Sequence, residues 1–193
     1  MASGRDVHPQ ATIMKRETIM TRSQKGATID TGAPFSAGDL VVYPTQGVGK
    51  VMKIETQVIG GNKIKLFVIS FDSDKMTLRV PLLKASSLGL RKLSPRPVMK
   101  TALTALRGRA IVKRAMWRLR ALEYATKIKS GNPVSIAEVV RDLHRRPSQN
   151  EKSYSERLIY EQALERLTRE MAAVEEIEPE AATAKLELLL NAV

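Results

Sequence analysis

The chain has 193 residues, enough for one or two compact domains, and 43% of them are apolar, which excludes a chain disordered throughout. Lys and Arg outnumber Asp and Glu by 32 to 20, and a net charge of +12 points to a polyanionic partner, nucleic acid before any other. Having no cysteine excludes disulfides, thiolate metal sites and a cysteine nucleophile. His8 and His144, the two histidines, are too far apart in sequence to suggest a metal site or a triad.

Residues 1–34 lack periodicity, are rich in Thr, Ser, Gly and Arg, and are expected to form a disordered extension. Short strands follow. Asp39–Pro44 is a β-branched run closed by proline, and Gly47-Val48-Gly49 is expected to supply a glycine turn. Val51, Ile54, Thr56 and Val58 lie in a longer extended stretch, and Gly60-Gly61-Asn62 signals a hairpin. Between Ile64 and Phe71 apolar residues occupy both alternating sets, so both faces of that strand are expected to be buried. Met76–Pro81 is a further strand, and Leu88–Leu93 is expected to be the last. Five short strands joined by tight turns predict a small antiparallel β-barrel over residues 35–94.

Ser94-Pro95-Arg96-Pro97 reads as a linker, and beyond it the period becomes helical. Helices are expected over 98–107 and 110–130. A third opens at a capping box, Ser135 to Glu138, and runs to about Arg146. A fourth opens at the Ser153–Glu156 box and runs to about Ile177, and a last one has Pro179 in its first turn. Residues 98–193 are therefore expected to form an all-α bundle. Charge is uneven along the chain: residues 99–150 hold twelve cations against three carboxylates, whereas residues 151–193 are net acidic.

In the expected helix over 110–130, Val112, Ala115, Met116, Leu119, Leu122 and Thr126 fall on one stripe, expected to face the bundle. Trp117, the sole tryptophan, then points the other way among Lys113, Arg114, Arg120, Ala121 and Tyr124. Periodicity leaves two readings open. The indole could wedge at a nucleic-acid step while cations hold phosphates, or it could pack under a neighbouring helix. Arg107, Arg109, Arg118, Lys127, Lys129, Arg141, Arg145 and Arg146 could widen a basic surface whose binding would be salt-sensitive. No phosphate-binding loop, nucleophile elbow or metal-ligand array is present. No enzymatic activity, cofactor or metal is expected. No apolar run approaches the ~20 residues of a membrane span.

The runs Gly38-Asp39-Leu40-Val41-Val42-Tyr43-Pro44, Gly47-Val48-Gly49, Leu78-Arg79-Val80-Pro81, helical Trp117, Ser130-Gly131-Asn132 and Ala137-Glu138-Val139-Val140-Arg141-Asp142-Leu143 occur in an order that resembles the CarD/CdnL family of bacterial RNA polymerase-binding regulators, from Phe35 to about Leu190. The resemblance implies a Tudor-like barrel, similar to the polymerase-interacting domain of transcription-repair coupling factor, followed by a helical DNA-binding domain. It implies that the barrel binds the polymerase β subunit through Arg79, Ile59 and Gln57, the last a position where some members carry Arg. It also implies that Trp117 wedges at the upstream edge of the promoter bubble, beside the −10 element, with Lys113, Arg114, Arg118 and Arg120 on the DNA backbone. Leu119 and Leu122 stand where some members are more basic. A cytoplasmic bacterial monomer is expected. An RNA- or ribosome-associated binder using the barrel as a KOW-like module is one alternative, and a protein adaptor whose basic helix meets an acidic partner is another.

Overall fold

The computed structural model describes residues 34–72, 75–111, 114–144 and 153–192, all within one compact unit, Gly32–Val193. Apart from Pro34, the expected N-terminal extension lies outside the described residues. Five antiparallel strands come first: β1 Leu40–Tyr43, β2 Gly47–Ile59, β3 Asn62–Phe71, β4 Met76–Pro81 and β5 Arg91–Lys92. Their order is β4-β3-β2-β1-β5, a Tudor/SH3-like barrel in which the last strand returns beside the first. Alternation along β2 and β3 aims Val51, Phe67, Ile69 and Phe71 at one core with Val41 and Val80. Phe35 closes it edge-on against Phe67 at 5.5 Å. Each such fully buried side chain contributes about 1.5–3 kcal/mol.

Gly60 and Gly61 both have positive φ, 58° and 80°, as a two-residue hairpin between Ile59 and Asn62 requires. Gly47-Val48-Gly49 is not a turn. The turn is Pro44–Gln46, where the Gln46 N–H donates to the Tyr43 carbonyl, and Gly47 already pairs with Tyr43 in the ladder. Gly49 is small for a packing reason, since a Cβ there would lie 2.7 Å from the Phe71 ring and 2.8 Å from Ile69. β3 is buried on both faces from Leu66 to Ile69, as its sequence suggests. The last strand shrinks to two residues because Gly89, at positive φ, turns the chain just before it.

Five helices follow: α1 Arg96–Leu106, α2 Trp117–Lys129, α3 Pro133–Leu143, α4 Tyr154–Glu175 and α5 Pro179–Asn191. Their shared core includes Met99, Leu106, Ile128, Val139, Val140, Leu167, Met171 and Leu186. Three starts differ from expectation. Pro97 lies inside the first turn of α1, where a missing N–H costs nothing. α3 opens at Asn132, whose side chain accepts from the Val134 and Ser135 N–H groups, so Ser135 is inside the helix rather than its cap. α2 starts at Trp117, about two turns later than expected. The Ser153–Glu156 capping box of α4 and Pro179 in the first turn of α5 are as read.

α4 fastens barrel to helices. Glu170, 3% exposed, takes a bidentate pair from Arg91 of β5, with Nη1 and Nη2 at 2.8 and 2.9 Å, and also accepts from the Ser94 N–H. Arg91 donates in addition to the Gly131 carbonyl. One helical turn before Glu170, Arg166 donates to the carbonyls of Pro44 and Thr45 in the β1–β2 turn. Buried charge is retained here because every group has a partner.

Candidate functional site

Two surfaces carry the residues singled out from sequence. The first is on the barrel. β4 is an edge strand, so one side of its backbone is open to another strand. In register, Lys53 of β2 and Arg79 of β4 flank Val68 of β3, so all three share one face of the sheet. The two-residue period of β2 puts Glu55, Gln57 and Ile59 on that face too. Arg79 Nε donates to Glu55 Oε1 at 2.9 Å, Gln57 Nε2 donates to the same oxygen at 2.7 Å, and Lys53 Nζ lies 3.2 Å from Oε2. Arg79 and then Lys53 hold the Glu55 carboxyl below its ordinary range. Glu55 thus organises Arg79 and Gln57, and the sequence reading missed it. The available signal was one acid at strand spacing from Lys53 and Gln57. Ile59 is exposed near the hairpin tip, and Leu83, just past β4, is 96% exposed.

The second surface is the start of α2. The expected stripe is reversed. Trp117, Arg120, Tyr124 and Ile128 turn toward the bundle, while Leu119, Leu122 and Thr126 face out, the two leucines 56% and 61% exposed. The error came from extending the helix back through Ala115 and Met116. The chain instead leaves α1 near Gly108, and the described residues 109–111 and 114–116 are not helical. The Ile111 N–H is held by Asp142 Oδ1 at 3.0 Å, and Asp142 is itself paired with Arg141 at 2.8 Å. Ala115 and Met116 therefore precede the helix, and both are exposed. Val112 and Lys113 lie outside the described residues.

Trp117 is half-buried against the helical core, its ring centroid 6.4 Å from that of Tyr124. The Arg120 guanidinium lies over the indole, 5.3 Å from its centroid. Burial, followed by the charge of Asp142, pushes the Tyr124 hydroxyl above its ordinary pKa. Arg114 and Arg118 are exposed, while Arg120 is turned inward. The start of α2 has no capping side chain and no acid in its first turn. Cations there oppose the helix dipole, and an anion placed at this end would relieve both deficits.

The wider basic surface is only partly open. Arg141 is mostly buried, bound to Asp142 and the Ala105 carbonyl, and Lys127 is bound to Glu138 at 2.7 Å. Arg145 and Arg146 lie outside the described residues. His144 Nδ1 lies 3.1 Å from the Tyr160 hydroxyl. Among the described residues there is no metal-ligand cluster, and no helix is long and apolar enough to cross a membrane.

Comparison with known proteins separates the chain at the same point as its two cores. Residues 35–94 match the CarD-like/TRCF RID domain, and residues 101–187 match the C-terminal domain of CarD. YdeB of Bacillus subtilis (strain 168), named as a candidate transcription factor, is 29% identical over 143 residues, 74% of this chain and 94% of YdeB. The N-terminal domain of Myxococcus xanthus CarD is 34% identical over 30% of this chain and 77% of that domain, with a TM-score of 0.27. CdnLNt of Myxococcus xanthus is 39% identical over 31% of this chain and 83% of that domain, also with a TM-score of 0.27. The match to the CarD-like/TRCF RID domain associates the barrel with RNA polymerase. With both of its domains matched in order, the chain belongs to the CarD/CdnL family of transcription-associated regulators.

Proposed function

We propose that this chain is a non-enzymatic transcription regulator of the bacterial cytoplasm. It binds the RNA polymerase β subunit through its barrel and promoter DNA through its helical domain, and it stabilises the open promoter complex as a monomer. Edge strand β4 accepts a strand of the polymerase by sheet addition, with Arg79, Gln57 and Ile59 supplying side-chain contacts on the adjoining face. Arg114 and Arg118, together with Lys113, hold backbone phosphates at the upstream edge of the −10 element. Trp117 occupies the distorted minor groove there.

The observation that carries this reading is the half-buried indole at an uncapped, cation-bearing helix start. The helix end suits a phosphate, and the part of the ring left exposed suits an unstacked base step. Binding shifts the open–closed equilibrium only by its differential affinity for the two states. A difference of about 1.4 kcal/mol changes the ratio roughly tenfold. The Arg91–Glu170 and Arg166 contacts let recruitment through the barrel fix where the indole sits.

The test is open-complex lifetime on a ribosomal RNA promoter with the cognate holoenzyme and a DNA competitor. The chain should lengthen it. Trp117→Ala should remove that effect while polymerase binding persists, and Arg79→Glu should abolish recruitment by placing a second carboxylate beside Glu55. An unchanged lifetime with Trp117→Ala would show that the indole is not a wedge.

A further inference from the structure

The cations near Trp117 are not equivalent. Arg114 and Arg118 stand in solvent, as phosphate ligands should. The Arg120 side chain is 17% exposed, and among the described residues its buried Nε has no hydrogen-bond partner. Its guanidinium covers the Trp117 ring at 5.3 Å and interacts with the Tyr124 hydroxyl. It also reaches the Glu156 carboxylate, with Nη2 3.8 Å from Oε1.

Glu156 has a second task. It is the third residue of α4 and the acidic half of the capping box. Its Oε2 accepts from the Ser153 N–H at 3.3 Å, and its own N–H donates to Ser153 Oγ at 3.3 Å. The two carboxylate oxygens are thus divided, one to the start of α4 and one to the cation over the indole.

We propose that Arg120 is the positioning residue of Trp117, anchored by Glu156, and that it does not contact DNA phosphate. This rests on the wedge reading above. The guanidinium engages both an aromatic face, which attracts it, and a carboxylate, which restrains it. Held in this way, it limits the rotamers of an indole only partly buried against the core. Wedging by a preset ring loses less freedom on binding than wedging by a mobile one. A largely buried guanidinium in this place also could not reach a phosphate without giving up both partners.

Trp117 is the sole tryptophan, so its fluorescence reports the arrangement directly in the full chain. Arg120→Met keeps the stem and removes the cation. Its Trp117 emission should be quenched by acrylamide at least twofold more efficiently, with lower anisotropy. Open-complex lifetime should fall at least halfway to that of Trp117→Ala. The slope of log affinity against log salt for DNA should not change. Arg120→Lys, which keeps the charge but loses the planar fork, should lie between the two. Glu156→Gln keeps a side chain able to close the capping box while removing the charge, and should raise quenching in the same direction. This variant also decides the matter if Arg120→Met fails to fold. Unchanged quenching in Arg120→Met and Glu156→Gln, with a salt slope shallower by about one in the former, would overturn the proposal and make Arg120 a phosphate contact. If Trp117→Ala leaves the lifetime unchanged, the wedge reading fails by itself, and the quenching data still decide whether Arg120 holds the ring.

Discussion

The two ends of α4 face opposite situations. At Arg166 and Glu170 the helix meets the barrel, and its charges are satisfied from both sides. Near its start it meets α2, which is uncapped, carries cations in its first turn and shows leucines to solvent. The first end is built to stay as it is. The second is left without a cap or an acid, and under the proposed function DNA phosphate completes it. The proposed function calls for both, a stiff joint and an unsaturated tip.

The contrast can be broken by substitution, and the largest effect is expected at the joint. Glu170→Ala removes the carboxylate that the Arg91 guanidinium and the Ser94 N–H share and should cost about 3 kcal/mol in a urea melt. A loss under about 1 kcal/mol would show that the joint is loose. Gly49→Ala drives a methyl group into Phe71 and Ile69 and should cost about 2 kcal/mol. Asn132→Ala removes the cap of α3 and should cost about 1 kcal/mol, read from the same melts.

A smaller effect depends on pH. The Glu55 carboxyl is held below its ordinary pKa in the fold, so its stabilisation is present above the unfolded value. It is lost as pH falls through the folded one. The difference in Tm between the wild type and Glu55→Gln should therefore shrink on acidification below about pH 4.5, the ordinary value for the group. A difference independent of pH would mean that the Arg79–Glu55 pair contributes nothing as an ion pair. The smallest change is expected at the tip. Leu122→Arg, on the outward face of α2, should alter stability by less than about 0.5 kcal/mol. A clear loss there would restore the stripe read from periodicity.

Much of the fold was legible locally. The Gly60-Gly61 hairpin, the Ser153–Glu156 box and Pro179 each state their structure within four residues. α2 was not legible, because Ala115 and Met116 continue a helical period that the chain does not follow. What interrupts it is a hydrogen bond to Asp142, 31 residues beyond Ile111. α3 was read as opening at Ser135, but it opens at Asn132, whose side chain caps the Val134 and Ser135 N–H groups and is followed by Pro133 at the first helical position. Of the candidate site residues, Trp117 and Arg79 were visible as types in place. The pairing of Glu55 with Arg79 and that of Glu156 with Arg120 were not, since each is made only in the tertiary structure.

The length of α4 has a consequence of its own. Glu156, which steadies the cation over the indole, and Arg166, which grips the barrel, lie ten residues apart on one continuous helix, about 15 Å along its axis. The helix is therefore a ruler with a phase. One residue inserted between them would lengthen it by only about 1.5 Å but rotate one grip by about 100° relative to the other. Seven residues, close to two full turns, would lengthen it by about 10 Å and nearly restore the phase. Spacing between the two grips should consequently tolerate change in steps of whole turns and not in single residues.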